Sequence, residues 1–236
     1  MNIANKTVLI TGANRGIGQA LVTEALNRGA KRIYAGTRVP LKHPDARVIP
    51  LTLDITDPEQ ILQAVQEITS LDMLINNAGI ASFDNLSERE AITKHLDVNL
   101  FGTYDLTQAF IPLLISSGGA IVNILSIVSL APLPPIASYS ISKAALFSMT
   151  QSLRAYMAGK GVNVHAVLTG PVDTDMNRGF DIPKASPESA AAAIFDGVER
   201  GEEEIFPEPM SASMADSWRN GSVKAMERQN AAFVQA

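Results

Sequence analysis

The sequence predicts an α/β fold: a doubly wound, seven-stranded parallel sheet with helices on both faces. Three observations predict it. Short apolar runs alternate with segments of helical spacing from Lys6 to Phe206. The runs are continuously apolar rather than alternating, as strands covered on both faces require. Most runs are separated by a helical segment, the right-handed crossover that joins parallel strands.

The elements follow in order. Residues 6–10 (KTVLI) form the first strand and end at a glycine-rich turn. Residues 17–27 have helical spacing and stop at Arg28-Gly29, a basic residue and a glycine stop signal. Strands follow at 32–35 and, beyond a proline-flanked loop, at 47–51. Asp57-Pro58-Glu59 reads as an N-cap with proline at the first helical position, opening a helix to about residue 70. Residues 72–75 are the fourth strand, 87–116 a helical stretch broken near its middle, and 120–125 the fifth strand. A long helix spans 138–158 and ends at Gly159-Lys160-Gly161; the sixth strand spans 162–168. Ser186-Pro187-Glu188 opens an alanine-rich helix to about 198, and a short seventh strand occupies 204–206. The domain is expected to span 1–208. The tail, 209–236, is expected to carry a helix from about 217 to 234 with Trp218, Val223, Met226 and Phe233 on a thin apolar face. It reads either as a peripheral helix packed on the domain or as a lid or arm to a neighbouring subunit.

Composition excludes several classes. The chain has 236 residues, 46% of them apolar and 18% charged, which suits one folded domain and not disorder. No apolar run approaches the ~18 residues of a membrane span. The N-terminus lacks the pattern of a secretory signal. Absence of cysteine excludes disulfides, thiol catalysis and cysteine-ligated zinc. The histidines His43, His95 and His165 are far apart and form no metal-binding pattern. The net charge of −5 and the lack of a Lys/Arg cluster argue against a nucleic-acid partner. A soluble, cytoplasmic location with no membrane partner is the expectation.

The turn Thr11-Gly12-Ala13-Asn14-Arg15-Gly16-Ile17-Gly18 lies between a strand and a helix. Glycines there let the backbone approach a pyrophosphate, and the helix N-terminus offers unpaired N–H groups and partial positive charge. Dinucleotide binding is therefore predicted. An acidic residue at the end of the second strand would bind a ribose 2′-hydroxyl. The segment is instead Ala35-Gly36-Thr37-Arg38. With Arg15 on the same side, Arg38 favours a 2′-phosphate, so the cofactor is predicted to be NADP(H).

Tyr139 and Lys143 are spaced i, i+4 and share a helix face. An ammonium near a phenol favours the phenolate and lowers a pKa that starts near 10, which would make Tyr139 a usable acid–base group. A second pair, Tyr156 and Lys160, has the same spacing. It sits at a helix end, and the offset that links Tyr139 back to Ser126 leads from Tyr156 to Lys143. Tyr156 is therefore read as structural.

Together the motifs TGANRGIG (11–18), LDIT (53–56), NNAG (76–79), VNLFG with its Asn99, Ser126, YSISK (139–143) and GPVDT (170–174) resemble the short-chain dehydrogenase/reductases in their short single-domain form. The resemblance covers residues 6 to 206 and implies a Rossmann fold. It implies that Ser126 hydrogen-bonds the substrate oxygen, Tyr139 exchanges the proton, and Lys143 binds the nicotinamide ribose and tunes Tyr139. Asn99 would hold a helix kink and a water linked to Lys143. Asp54 would contact the adenine amine, Asn76 and Gly79 would line the cofactor groove, and Val172 and Thr174 would hold the carboxamide. Gly12, Asn14, Arg15, Gly16, Ile17, Gly18, Thr37, Arg38, Ile55, Ala78 and Gly170 complete the expected cofactor set. Ser129 is a rival to Ser126 and is read as a loop or pocket residue.

The chain departs from the family where a Pro-Gly pair usually follows the sixth strand; here the residues are Thr169-Gly170-Pro171. The segment between Val172 and Glu188 is also short, which suggests an open pocket or one completed by the tail. Phe83, Ile127, Val128, Leu133, Ile136, Met176 and Phe180 are the candidate pocket residues. Being apolar, they point to reduction of an apolar ketone or aldehyde, with hydride moving between nicotinamide C4 and the carbonyl carbon. A ketoreductase acting on carrier-linked 3-oxoacyl chains and a non-catalytic NADP(H)-binding sensor are the alternatives. The resemblance also implies a homo-oligomer, a tetramer or dimer.

Overall fold

The computed structural model describes residues 1–39, 41–179 and 181–234. The strands are β1 (Thr7–Thr11), β2 (Arg32–Thr37), β3 (Val48–Thr52), β4 (Met73–Asn76), β5 (Ala120–Ile124), β6 (Asn163–Val167) and β7 (Glu204–Ile205). They form one sheet in the order β3-β2-β1-β4-β5-β6-β7, with every pairing parallel. The predicted doubly wound sheet is therefore present, and each strand lies within two residues of its expected place.

Side-chain alternation builds two core layers. On one face Val8, Ile10, Ile33, Met73, Ile75 and Val122 pack against α1 (Gly16–Asn27) and α6 (Pro187–Arg200), which bury Leu21, Ile194 and Phe195. On the other face Leu9, Tyr34, Leu74, Ile121 and Val164 meet α2 (Pro58–Glu67), α4 (Thr103–Ser117) and α5 (Ala137–Ala158). Asp57 caps α2 as its sequence predicted, accepting from the N–H groups of Glu59 and Gln60. The strand order reverses between β1 and β4, and the crevice at their C-terminal ends is where such sheets bind ligands.

The helical stretch predicted at 87–116 is α3 (Arg89–Leu96), a π-helical turn (Asp97–Gly102) and α4. The break thus has a cause. Asn99, inside the wide turn and fully buried, accepts from the Ile80 N–H at 2.8 Å and donates to the Ile80 carbonyl at 3.0 Å and Ser142 Oγ at 2.9 Å. One side chain joins the β4 loop to α5, and the helix widens to let it reach.

The tail differs more. The single helix expected from 217 to 234 is divided into α8 (Ala215–Arg219) and α9 (Ser222–Ala231), preceded by α7 (Pro209–Ala212). The chain turns tightly at Gly221, where a Cβ would lie 2.7 Å from the Ser217 carbonyl oxygen. The expected apolar face is not buried: Val223, Met226 and Phe233 are exposed. Trp218 alone packs inward, on the Phe147 ring at 5.4 Å.

What holds α9 is charge. Lys224 is 1% exposed, and its Nζ lies 2.8 Å from Glu203, 2.9 Å from Glu204 and 3.0 Å from Glu227. Arg154 on α5 reaches Glu204 at 2.8 Å and Glu227 at 2.5 Å. Lys224→Ala strands buried carboxylates and should lower unfolding stability by ~3–5 kcal/mol in urea titration. A loss below ~1 kcal/mol, the value of an exposed pair, would show that α9 contributes little to the fold.

Candidate active site

A cleft of about 820 Å³ opens over the point where the strand order reverses. Its floor begins at the glycine turn. Gly12 has φ +64°, and a Cβ on Gly18 would sit 2.1 Å from the Gly12 carbonyl oxygen. No other residue lets the turn and the first turn of α1 approach so closely. Thr11 Oγ1 accepts from the N–H groups of Asn77 and Ala78 at 3.0 and 2.9 Å, tying β1 to the loop after β4. The Asn77 amide donates back to the carbonyls of Thr11 and Gly12. Helix α1 begins at this floor with no side-chain cap and no acidic residue in its first turn, an arrangement that suits an anion.

Gly12, Asn14, Arg15, Gly16, Ile17 and Gly18 line this end of the cleft, with Thr37, Arg38, Asp54 and Ile55 beside them. Arg15 reaches Asp175 across the cleft at 3.3 Å, and Asp175 also pairs with Arg178. Asp54 accepts from the N–H and hydroxyl of Thr56 at 2.9 and 2.7 Å, which fixes its carboxylate. Ala78 and Gly79 form the wall beyond.

Asn76 corrects the sequence reading. It does not line the cleft; its amide donates to Thr107 Oγ1 at 3.0 Å and Asn123 Oδ1 at 2.8 Å inside the core. Successive strand residues point to opposite faces, so the neighbouring Asn77 meets the cleft instead.

Midway along the cleft stand Ser126, Tyr139 and Lys143. Ser126 lies two residues beyond β5, at the start of a short helical turn, and hydrogen-bonds the Tyr139 hydroxyl. Helix α5, which carries Tyr139 and Lys143, has no cap of its own. Asp84 supplies one from another loop, accepting from the Ser138 N–H at 3.0 Å and Ser138 Oγ at 2.9 Å. Lys143 Nζ donates to the Ile124 carbonyl at 2.7 Å and lies 5.7 Å from the centre of the Tyr139 ring. Asn99 lies behind this group rather than on the cleft wall; a Cβ on Gly79 would come within 3.0 Å of Asn99 Oδ1 and 3.7 Å of Lys143 Nζ.

The expectation that Lys143 lowers the Tyr139 pKa does not hold in the protein alone. Burial pushes Tyr139 up to about 12, only partly opposed by its hydrogen bond with Ser126. Burial pushes Lys143 down to about 8. Desolvation is the dominant cause for both groups, and the Lys143 ammonium, held by the Ile124 carbonyl 5.7 Å from the ring centre, does not offset it at Tyr139.

Gly170, Val172 and Thr174 line the cleft beside this group. The loop is pinned at its base: Asp173 N–H donates to the Ala185 carbonyl at 2.8 Å, and Ala185 N–H to the Pro171 carbonyl at 3.0 Å. Phe83, Ile127, Val128, Leu133, Ile136 and Met176 line the far end, as predicted. Phe180 lies outside the described residues. Ser129 is not in the wall, and Tyr156 is an exposed residue of α5. Sequence reasoning missed Ile182, Met210 and Met214, which close the apolar end. Two of these belong to the tail.

A family model described as short chain dehydrogenase matches residues 6–184. A short-chain dehydrogenase, srdE, of Neurospora crassa is 36% identical over 207 residues, covering 81% of this chain and 71% of that protein. The 3-oxoacyl-[acyl-carrier-protein] reductase FabG of Thermotoga maritima is 32% identical, covering 82% of this chain and 84% of its own length. A short chain dehydrogenase of Burkholderia cenocepacia, solved in complex with NADP, superimposes with a TM-score of 0.89 at 37% identity, covering 97% of this chain and 98% of that one. With the fold, the glycine turn and the Ser126–Tyr139–Lys143 group in place, the chain belongs to the short-chain dehydrogenase/reductases.

Proposed function

We propose that this protein is an NADPH-dependent carbonyl reductase acting on apolar ketones or aldehydes. The observation that carries this reading is the position of Ser126, Tyr139 and Lys143 where a polar groove with an uncapped helix end meets an apolar pocket. The NADP complex of the Burkholderia relative supports the cofactor. Gly12, Asn14, Gly16, Ile17 and Gly18 would hold the pyrophosphate, Thr37, Arg38 and Arg15 the 2′-phosphate end, and Asp54 and Ile55 the adenine. Ala78 and Gly79 would flank the groove, Lys143 would hold the ribose hydroxyls, and Gly170, Val172 and Thr174 the carboxamide. When bound, the nicotinamide supplies the hydride.

The chain's own residues then do the rest. Ser126 and Tyr139 hydrogen-bond the carbonyl oxygen and stabilise the charge that develops on it. Tyr139, kept protonated by its burial, gives its proton to that oxygen. Lys143 holds a positive charge beside the ring, and Asn99 and the Ile124 carbonyl fix its surroundings. Ile127, Leu133, Met210 and Met214 exclude water from the apolar end.

The name of the Thermotoga relative raises a carrier-linked 3-oxoacyl substrate. The charged residues of the cleft wall, Arg15, Arg38, Asp54, Lys143 and Asp175, belong to the proposed cofactor half and the catalytic group. Among the described residues, the apolar end offers no basic side chain to an acidic carrier, which favours a free apolar carbonyl compound. Exposed Phe101, Tyr104, Ile141 and Tyr156 on the outer helices support a homo-oligomer.

The cofactor assignment is tested by the ratio of kcat/KM for NADPH over NADH. Arg38→Ala should lower that ratio by ~10–100-fold, the value of one charge-assisted hydrogen bond. Better turnover with NADH by the wild type would overturn the assignment.

A further inference from the structure

We infer that Glu208 is a positioning residue that fixes the apolar wall of the carbonyl pocket to the loop after β6, and so sets which sizes of substrate react. The inference rests on the reading above, in which Ser126 and Tyr139 hold the carbonyl oxygen and Met210 and Met214 belong to the apolar end of the cleft.

Glu208 is 5% exposed, although it is charged and lies where the tail leaves the sheet. Its carboxylate accepts from the Met210 N–H at 2.8 Å and the Ser211 N–H at 2.6 Å, and so caps α7. It also accepts from the Gly170 N–H at 2.9 Å. One buried group thus joins two segments that are distant in sequence. Each segment carries a wall of the cleft: Gly170, Pro171 and Val172 on one side, Met210 and Met214 on the other.

Gly170 records the same contact from the other side. Its φ is not in the left-handed region, so the backbone would tolerate alanine. A Cβ there would lie 2.5 Å from Glu208 Oε1. That oxygen cannot swing away without releasing the N–H groups of Gly170 and Ser211. The glycine after Thr169 is therefore required by a side chain of the tail and not by its own conformation.

A tie of this kind acts on substrate position. Met210 is half-exposed, lines the cleft and is carried there by α7. Loosening α7 by about 1 Å would leave the reacting oxygen near Tyr139 but withdraw contact from the apolar body of the substrate, and misplacement on that scale can cost ~10²-fold in rate. A small carbonyl compound does not reach the wall and would lose little.

The test compares kcat/KM for a bulky apolar ketone with that for a small aliphatic aldehyde, using NADPH. Glu208→Gln should lower the bulky-to-small ratio at least tenfold, chiefly through KM for the bulky ketone, and leave NADPH affinity by fluorescence titration within threefold. Gly170→Ala should lower the ratio similarly, and adding Glu208→Asp, whose shorter side chain makes room, should restore part of it. Met210→Ala, an exposed position, should shift the ratio in the same direction and carries the test if Glu208→Gln does not fold. Equal loss for both substrates, or an unchanged ratio in Gly170→Ala and Met210→Ala, would overturn the inference. Failure of the wild type to reduce either carbonyl would overturn the proposed function instead.

Discussion

Tyr139→Phe is expected to lower kcat for carbonyl reduction by ~10²–10⁴-fold, the usual value of a positioned proton donor. The substitution removes one oxygen from a buried ring whose hydroxyl is hydrogen-bonded to Ser126. The neighbouring surfaces of the cleft are unchanged, so NADPH affinity should stay within about twofold. Since burial pushes the phenol up to about 12, the wild type keeps its proton donor at every pH at which the protein is ordinarily handled. Reductive activity should therefore show no alkaline limb from Tyr139 ionisation over that range. Stopped-flow measurement of a single turnover separates the chemical step from cofactor release. A variant that kept more than a tenth of the wild-type rate would require a different donor. A wild type that binds NADPH and never turns over, with Tyr139→Phe no different, would favour the sensor reading.

Lys143→Met is expected to abolish turnover and at the same time not to destabilise the protein. Lys143 is fully enclosed, and burial lowers its pKa from 10.5 to about 8. The folded chain therefore binds the proton less tightly than the unfolded chain. Below pH 8 both states carry the charge, and the folded state bears the full penalty. Between pH 8 and 10.5 the folded lysine loses its proton first and the penalty disappears. At about 1.4 kcal/mol per pKa unit, the penalty near neutrality is of the order of 3 kcal/mol. Loss of the hydrogen bond to the Ile124 carbonyl offsets about 1 kcal/mol of the gain. Lys143→Met should accordingly unfold at higher urea concentration than the wild type at pH 7, and the advantage should shrink above pH 8. The wild-type kcat/KM for NADPH should fall as pH rises through about 8, where the ammonium that would hold the ribose is lost. A variant destabilised equally at pH 7 and pH 9.5 would contradict this account of the buried charge.

Most of the fold was legible because its signals are local. An apolar run such as residues 6–10 must be buried on both faces, and the Asp57-Pro58 pair carries a helix start in its own chemistry. The glycine turn and the Tyr139–Lys143 spacing were legible for the same reason. What escaped depends on contacts between distant segments. Asn76 and Asn77 are identical residues side by side, and only the pleat decides that the first enters the core and the second holds the turn. The expected single helix at 217–234 was not found whole, because its apolar pattern marks neither the turn at Gly221 nor what holds α9. The anchor is Lys224, a buried charge tolerated because Glu203, Glu204 and Glu227 surround it, while Arg154 pairs with two of the same carboxylates. Periodicity cannot register such a residue. The same holds for Glu208 and for Asp84, whose roles at Gly170 and Ser138 exist only after the chain has folded.

The proposed hydride transfer is tested most directly by isotopic label. The wild-type protein is incubated with NADPH deuterated at nicotinamide C4, once in each stereochemical position, and with a bulky apolar ketone. The alcohol formed is then examined by mass spectrometry. The account predicts deuterium on the carbinol carbon from one of the two labelled cofactors, and none in the Tyr139→Phe reaction over the same period. An unlabelled alcohol, or bound NADPH that is never oxidised across a panel of apolar ketones and aldehydes, would contradict it.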